Sequence, residues 1–488
     1  MKTTMRVLPR TLLVLSVLTI ASVSHTLAQK ADRSKPPELG APPSLSLPPI
    51  QKATLSNGIP VIVVEKHSVP VLQMSLTLRA GSVLEGPDKI GLASLTAAML
   101  KEGAGDKSSL ELADAIDYLG ASLYASAGTH TTGVSLNTPL SKFEKAFDLF
   151  ADIILRPTFP ANELERLRKE RLTSLVQMYD QPTMVAATAA AKLVFGEKHP
   201  YGRGTMGTEK TLKGFTLEDL KGFYSKYFHA SNATFIVVGD IKMSDIVAKL
   251  EKTFGNWQRG ETAKVKVPVA DQIKGRTIYL IDKPDAPQSV VRISRVGVER
   301  TTLDYFPIMV MNTILGGSFS SRLNNNLREK NGYTYGAGSA FDMRPAPGAF
   351  SANSSVQTGV TDKAMTEFMK ELNAILEQVS DQELTRAKNY LALGYPGDFE
   401  TVGQVASQLG DLMLYNLPGD YFNTYIKNVL SVTKSDVQRV AKKYIDPKNI
   451  AIIIVGDKKT VEKGLNDLKL GTLKNMKIED VLGKMPVL

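Results

Sequence analysis

Apolar and polar residues alternate strictly in the segment VLQMSLTLRAG. The apolar positions are Leu72, Met74, Leu76 and Leu78. A period of two predicts a β-strand with one buried face. Shortly before it, Asn57-Gly58 separates apolar runs in TLSNGIPVIVV. Because this dipeptide favours tight turns between strands, the segment predicts a hairpin at the start of the ordered chain.

The same pattern of elements occurs twice along the chain. TLEDLKGFYSKYFHASNATFIVVGD ends at Asp240, and TKSDVQRVAKKYIDPKNIAIIIVGD ends at Asp457, an offset of 217 residues without a gap. Tyr227 in the first copy corresponds to Tyr444 in the second. Each copy predicts a helix, a short turn and an apolar strand. Other helix and strand segments recur in the same order, so the sequence predicts an internal duplication.

The duplication divides the chain into two homologous domains, predicted at residues 51–262 and 275–480, with a linker at 263–274. Strands and helices do not alternate regularly, which favours an α+β fold over a doubly wound α/β fold. At 488 residues, the chain is also long enough for two cores. We therefore expect two domains that each have a mainly antiparallel sheet covered by helices.

Residues 1–28 have the pattern of a secretory signal peptide, in which basic residues precede a short apolar run and small residues precede a cut after Ala28. Residues 29–50 are rich in proline and predict an extended linker. No later segment is long and apolar enough to cross a bilayer. The sequence therefore predicts a periplasmic or secreted protein without stable membrane insertion.

Charge and cysteine content narrow the possible functions further. Removing residues 1–28 lowers the formal net charge from +10 to +7, and no basic cluster is interleaved with aromatic residues. We therefore expect no nucleic-acid partner. The chain has no cysteine, which excludes disulfides and thiolate metal ligands. Its five histidines are far apart in sequence, without a pair one helical turn apart.

Two long segments have a recognisable pattern: FGEKHPYGRGTMGTEKTLKGFTLEDLKGFYSKYFHASNATFIVVGDI in the first half and ILGGSFSSRLNNNLREKNGYTYGAGSAF in the second. Both segments resemble the pitrilysin/insulinase family of zinc peptidases. The resemblance covers nearly the whole mature chain and agrees with the duplication. It implies two homologous α+β domains, and pairing of two such chains around a central chamber.

Active members of this family carry His-x-x-Glu-His on the helix that follows the first strands. The two imidazoles bind zinc, the glutamate activates the metal-bound water, and a second glutamate from a later helix completes the ligands. Here the motif falls on GLASLTAAML, where its three positions are Ser94, Ala97 and Ala98. The later carboxylate falls near Ser174-Leu175. The resemblance therefore implies that this chain binds no zinc itself.

The second half retains a different part of the family's site. Members carry an arginine and a tyrosine seven residues apart, and Arg328 and Tyr335 in REKNGYTY have this spacing. The resemblance implies that they bind the substrate backbone and stabilise the tetrahedral intermediate, roles that suit directional donors. By spacing alone, Arg328 could instead pair with Glu329, and Tyr335 could be an ordinary strand aromatic. Tyr333 is expected on the opposite strand face.

A glycine-rich segment, LGGSFSS, precedes this pair in the second half. It lacks the Gly-Lys-Ser/Thr ending of a phosphate-binding loop, which excludes that interpretation. In the non-catalytic subunits of the family, a glycine-rich segment lies near this place. By resemblance, Gly316 and Gly317 are candidate substrate-binding residues.

Together, these features predict the non-metal-binding subunit of a heteromeric zinc peptidase. Its partner is expected to be a homologous chain with His-x-x-Glu-His and the zinc ion, and its substrates are expected to be peptides. The chain alone is predicted to be inactive. The alternative is a catalytically inactive scaffold or peptide-binding homologue.

Overall fold

The computed structural model describes Gly40 and residues 47–487. The predicted signal peptide and most of the predicted proline-rich linker lie outside the described residues. Within the described part, none of the helices has the length and apolar character needed to cross a membrane.

The first half is built on a six-stranded sheet. Its strands are β1 Gln51–Thr54, β2 Pro60–Glu65, β3 Val71–Leu78, β6 Ser122–Ala127, β7 Thr132–Pro139 and β8 Ala233–Gly239. A separate short ribbon contains β4 Gly103–Ala104 and β5 Lys107–Ser108. The sheet order is β1-β2-β8-β3-β7-β6. β1 and β2 form the predicted hairpin, with Gly58 at a φ of +89° in its turn.

The second half is built on another six-stranded sheet. Its strands are β9 Thr277–Asp282, β10 Gln288–Val296, β11 Thr334–Phe341, β12 Ala349–Gln357, β13 Ala451–Gly456 and β14 Thr472–Met476. The order is β11-β12-β10-β13-β9-β14. Between the two sheets, residues 257–274 form neither helix nor strand.

The two sheets have the same topology except at one edge. Matching them pairs β6 with β11, β7 with β12, β3 with β10, β8 with β13 and β2 with β9 in both sequence order and sheet order. At the remaining edge, β1 runs antiparallel to β2, whereas β14 runs parallel to β9. The predicted α+β class and the two homologous sheet-plus-helix halves are confirmed.

Helices cover these sheets. In the first half they are α1 Leu92–Met99, α2 Ser109–Tyr118, α3 Phe143–Leu155, α4 Ala161–Met178, α5 Pro182–Phe195, α6 Glu209–Gly214, α7 Leu217–Tyr227 and α8 Met243–Phe254. In the second half they are α9 Tyr305–Leu315, α10 Arg322–Asn324, α11 Thr361–Ala374, α12 Asp381–Gly394, α13 Val402–Leu414, α14 Tyr421–Ser431, α15 Lys434–Tyr444, α16 Lys458–Asp467 and α17 Ile478–Leu482.

The duplication extends to the helix caps. α7 begins with a capping box in which Thr216 and Asp219 bond each other's backbone N–H groups. α15 begins with the same arrangement between Thr433 and Asp436, 217 residues later. Both helices therefore start at equivalent positions because the same side-chain pair satisfies their first N–H groups.

One helix of each half packs on the sheet of the other half. α5 packs on β10 and β13 of the second sheet, and α13 packs on β3 and β8 of the first. Small residues of α5, including Ala186 and Ala189, are buried against Ile453 and Val455. α13 shares a core with the outer-face residues Ile62, Val64, Ile236 and Val238 of the first sheet. The two halves are therefore joined by reciprocal apolar packing.

Candidate functional site

The helix that carries the substituted motif positions is α1. It follows Gly91, whose φ of +95° is in the left-handed region, and a Cβ at Gly91 would lie 2.7 Å from Gly207 Cα. Glycine is required there both by the backbone conformation and by the close neighbour. Leu95 and Met99 are fully buried, so α1 is held by the core of the first half.

A buried carboxylate caps α1. Glu85 accepts hydrogen bonds from Gly91 N at 2.9 Å and Ala93 N at 2.7 Å. Burial raises the pKa of Glu85 to about 7, although these N–H groups and the charges of Arg171 and Arg203 act in the opposite direction. The carboxylate therefore satisfies the free N–H groups at the positive end of the helix.

The first motif position is occupied by a hydrogen-bonded serine. Ser94 Oγ donates to Thr205 O at 2.6 Å and accepts from Arg171 Nη1, on α4, at 2.8 Å. Burial lowers the pKa of Arg171 to about 10, which still leaves the guanidinium charged near neutral pH. A charged guanidinium thus lies against the first of the three motif positions.

The other motif positions carry no ligand atoms. Ala97 is fully buried and Ala98 is partly buried against the core. At the predicted position of the later carboxylate, Ser174 Oγ donates within its own helix to Glu170 O at 3.1 Å. Since alanine has no donor atom and Ser94 Oγ already contacts a guanidinium, these residues do not fit a zinc ion.

The four histidines in residues 47–487 have separate partners. The ring nitrogens lie close to one partner atom each: His67 Nδ1 is 2.6 Å from Asp240 Oδ1 and His130 Nε2 is 2.7 Å from the Tyr201 hydroxyl. His199 Nε2 is 2.9 Å from Pro268 O, and His229 Nε2 is 3.1 Å from Asn232 Nδ2. Nowhere in the described chain do three or more His, Asp or Glu residues form a group that could hold a metal ion. The lack of zinc binding by this chain stays a prediction.

Arg328 lies on an unusual helical turn. α10 continues directly into a π-helix at Asn325–Lys330, a conformation that often marks functional sites. The Arg328 guanidinium stacks on Phe319 at 4.6 Å from the ring centroid, and its Nε is 3.4 Å from Glu329 Oε1. The side chain remains 37% exposed, so its charge is accessible from solvent.

A bidentate ion pair holds the start of this helical segment. Arg322 Nε and Nη2 donate to the two carboxylate oxygens of Glu383, on α12, at 2.6 and 3.0 Å. Arg322 lowers the pKa of Glu383 from 4.5 to about 2, and the Ser380 N–H adds to this effect. Arg322 and Glu383 therefore position the segment that carries Arg328.

Glu383→Gln is expected to weaken the pH dependence of the free energy of unfolding at acidic pH. The folded carboxyl has the lower pKa, so its pairing stabilises the protein above about pH 4.5 and this contribution is lost as the pH falls towards 2. The contribution is about 3 kcal/mol for a shift of this size. Thermal unfolding between pH 5 and pH 2 measures it. Glu462→Gln, at a half-buried residue whose Oε1 lies 3.8 Å from Lys458 Nζ, should keep the wild-type pH dependence. A wild-type pH dependence in Glu383→Gln would contradict the prediction.

Tyr335 is placed by an irregularity in the edge strand β11. The pairing of β11 with β12 shifts register between Thr334 and Ala337, which is a β-bulge. Tyr335 lies in this bulge with 89% of its surface exposed, whereas Tyr333 packs against the core. Bulges commonly re-aim a side chain beside a functional site.

Close packing explains the two glycines before Arg328. A Cβ on Gly316 would lie 2.3 Å from Ser339 N in β11, and the same N–H donates to Gly316 O at 3.1 Å. A Cβ on Gly317 would lie 2.8 Å from Asn312 Nδ2. Gly316 thus lets the end of α9 approach β11, and Gly317 lets the chain turn back closely against α9. Their predicted contact with a substrate stays a prediction.

Two of the predicted residues, Arg328 and Tyr335, lie on segments that are hydrogen-bonded to each other. Tyr333 N, just before β11, donates to Leu327 O of the π-helical turn at 2.9 Å. The bonds of Ser94 are made within the first half. Sequence reasoning missed Glu85 and Arg171, which lie far apart along the chain and have no motif to connect them.

Two family models match the chain. The model described as Insulinase (Peptidase family M16) matches residues 61–209, which include α1. The model described as Peptidase M16 inactive domain matches residues 214–391, which include Arg328 and Tyr335. Together the two matches include nearly all of β2 and the strands from β3 to β12, whereas β1, β13 and β14 lie outside them.

Individual relatives agree with these matches. An uncharacterized zinc protease of Rickettsia felis is 25% identical over 357 residues, covering 73% of this chain and 85% of the relative. The Helicobacter pylori protein named non-peptidase homolog YmxG is 22% identical over 404 residues, covering 82% and 92%. The crystal structure of a peptidase M16 inactive domain from Pseudomonas fluorescens has a TM-score of 0.78 at 28% identity, covering 84% of this chain and 98% of that one.

Proposed function

Because the chain belongs to the insulinase family of peptidases, we propose that it is the non-metal-binding subunit of a heteromeric zinc peptidase. In this proposal it contributes Arg328 and Tyr335 to a site whose zinc ion, base and metal ligands lie on a homologous partner with His-x-x-Glu-His. The partners are therefore that chain and peptide substrates. Periplasmic or secreted localisation is part of the proposal.

One observation carries this proposal: Tyr335 is 89% exposed in a bulged edge strand, and an accessible Arg328 lies on the π-helical turn that is hydrogen-bonded to the start of this strand. A tyrosine that served only to pack a strand would be buried, as Tyr333 is in part. The alternative role of Arg328, an ion pair with Glu329, is present at 3.4 Å between Nε and Oε1, but this pair is solvent-exposed and therefore weak. It leaves the guanidinium able to turn to a substrate.

These two residues would act on the carbonyl of the bond being cleaved. A guanidinium donates from a planar, permanently charged fork, and a phenol donates a single directed hydrogen bond. Both strengthen as the carbonyl oxygen gains negative charge, so they favour the transition state over the bound peptide. Their position in a unit fixed by Arg322 and Glu383 would keep them aligned without reorganisation.

Reconstitution with the motif-bearing homologue from the same genome tests this proposal. The purified chain is expected to leave an unfolded, quenched-fluorescent peptide uncut, and the equimolar mixture is expected to cleave it. Size-exclusion chromatography and metal analysis should give one complex whose zinc enters with the partner. Stoichiometric zinc and peptide cleavage by the purified chain alone would contradict the proposal. A partner whose activity is unchanged by this chain would support the scaffold alternative.

A further inference from the structure

A cavity of about 430 Å³ lies beside Tyr335, between the N-terminal end of α5 and the outer face of the second sheet. Its lining includes Thr183, Ala186, Gln288, Arg292, Tyr335 and Asn353. Among the described residues that line it, Arg292 alone carries a formal charge. The cavity therefore combines one cation with neutral hydrogen-bonding groups.

Strand alternation directs Arg292 into this cavity. Val291 and Ile293 are buried in the core between the second sheet and its own helices. Val290 is buried on the opposite face, where α5 packs, and Arg292 shares that face. In the register of β10 and β12, Arg292 lies directly opposite Asn353. The guanidinium and the amide are thus neighbours on one wall.

Arg292 has few partners of its own. Nη2 donates to Ser351 Oγ over a long 3.4 Å, and the buried Nε has no acceptor. Asp342, whose charge acts on Arg292, is paired with Arg344 at 2.6 Å. Burial lowers the pKa of Arg292, yet a guanidinium stays protonated. A partly buried cation without a counter-ion is costly, and a bound anion would remove that cost.

The end of α5 adds to the attraction for an anion. No side chain caps this helix at Gln181, and Thr183 in its first turn lines the cavity. Pro182 has no N–H, and Met184 and Val185 donate theirs to Gln181 O at 2.9 and 3.1 Å. The Thr183 N–H is therefore the donor left at the positive end of the helix dipole. Since the two donors of a guanidinium match the two oxygens of a carboxylate, the anion that best fits a peptidase subunit is a carboxylate.

We propose that this cavity binds a carboxylate of the peptide substrate through Arg292, next to the backbone contacted by Tyr335. The carboxylate is either an acidic side chain or the C-terminal group of the peptide. This inference rests on the proposed function and specifies its substrate class: peptides with a carboxylate close to the bond that is cleaved.

Fluorescence anisotropy with the purified full chain tests the proposal. The probes are four versions of one short, labelled, unstructured peptide, with glutamate or glutamine at its centre and a free or amidated C-terminus. The recognised carboxylate should raise the affinity about tenfold over the doubly neutral peptide. A gain from the central glutamate identifies an acidic side chain as the recognised group, and a gain from the free C-terminus identifies the terminal carboxylate.

Arg292→Gln should abolish this preference, so that the charged and neutral peptides bind with equal affinity. Arg295→Gln is the matched control, because Arg295 lies on the same strand, pairs with Asp446 at 3.6 Å and is not part of the cavity lining. If Arg292→Gln does not fold, Asn353→Asp offers a second variant. Its new carboxylate, opposite Arg292, should occupy the guanidinium and also abolish the preference.

Equal binding of all four peptides to the wild-type chain, or no binding of any of them, would overturn the proposal. So would a preference that survives in Arg292→Gln. A reconstituted complex that needs Arg328 and Tyr335 but cleaves all four peptides equally would keep the proposed function and reject only the carboxylate site.

Discussion

Arg328→Ala is expected to lower peptide cleavage by the reconstituted complex roughly 100-fold, the loss typical for one donor to a developing oxyanion. The guanidinium interacts more strongly with the transition state than with the ground state, so turnover should fall more than substrate affinity. Steady-state kinetics with an unfolded peptide separate kcat from KM. Arg328 is partly exposed, so assembly should be unchanged in size-exclusion chromatography.

Lys330→Ala is the matched control for this change. Lys330 is an exposed cation in the same π-helical turn. Its replacement by alanine removes the same formal charge from the segment as Arg328→Ala does. If both variants lose activity equally, the effect is one of overall charge. Normal turnover in Arg328→Ala would show that the assigned role is wrong.

Tyr335→Phe is expected to cause a loss of similar size, roughly 100-fold, by removing a single hydroxyl. The aromatic ring and the bulge remain, so the variant isolates the hydrogen bond of the phenol from its packing. Because the side chain is 89% exposed, thermal stability should change little. The kinetic assay is the same as for Arg328→Ala.

Tyr333→Phe provides the comparison for Tyr335→Phe. Tyr333 lies two residues earlier and packs against the core, so the loss of its hydroxyl should leave turnover unchanged. A decrease in Tyr333→Phe but not in Tyr335→Phe would mean that the two tyrosines had been assigned the wrong way round.

Local patterns and the duplication predicted most of the fold. The hairpin at Asn57-Gly58, the alternating strand β3 and the repeated helix–strand units all follow from periodicity or turn chemistry over short distances. The exchange of α5 and α13 could not be predicted in this way. An apolar helix face indicates burial, but it does not identify the sheet against which it is buried.

The candidate site was predictable only where a motif connected its residues. The spacing of Arg328 and Tyr335 identified them, and the structure adds the π-helical turn and the bulge that position them. Sequence reasoning did not find Arg171 at Ser94, because their contact depends on the packing of α4 against α1. Arg292 was missed for a related reason: its environment is formed by strands and a helix from both halves.

The reciprocal packing of α5 and α13 makes the burial of each sheet depend on the other half of the chain. A half-length copy with the same helix placement would leave one face of its sheet uncovered. It could bury that face by pairing with a second copy, in which the helix of each copy packs on the sheet of the other. The present protein is thus equivalent to a homodimer fused into one polypeptide. Fusion keeps the two copies at a high effective concentration, so the pairing no longer depends on how much protein the cell makes.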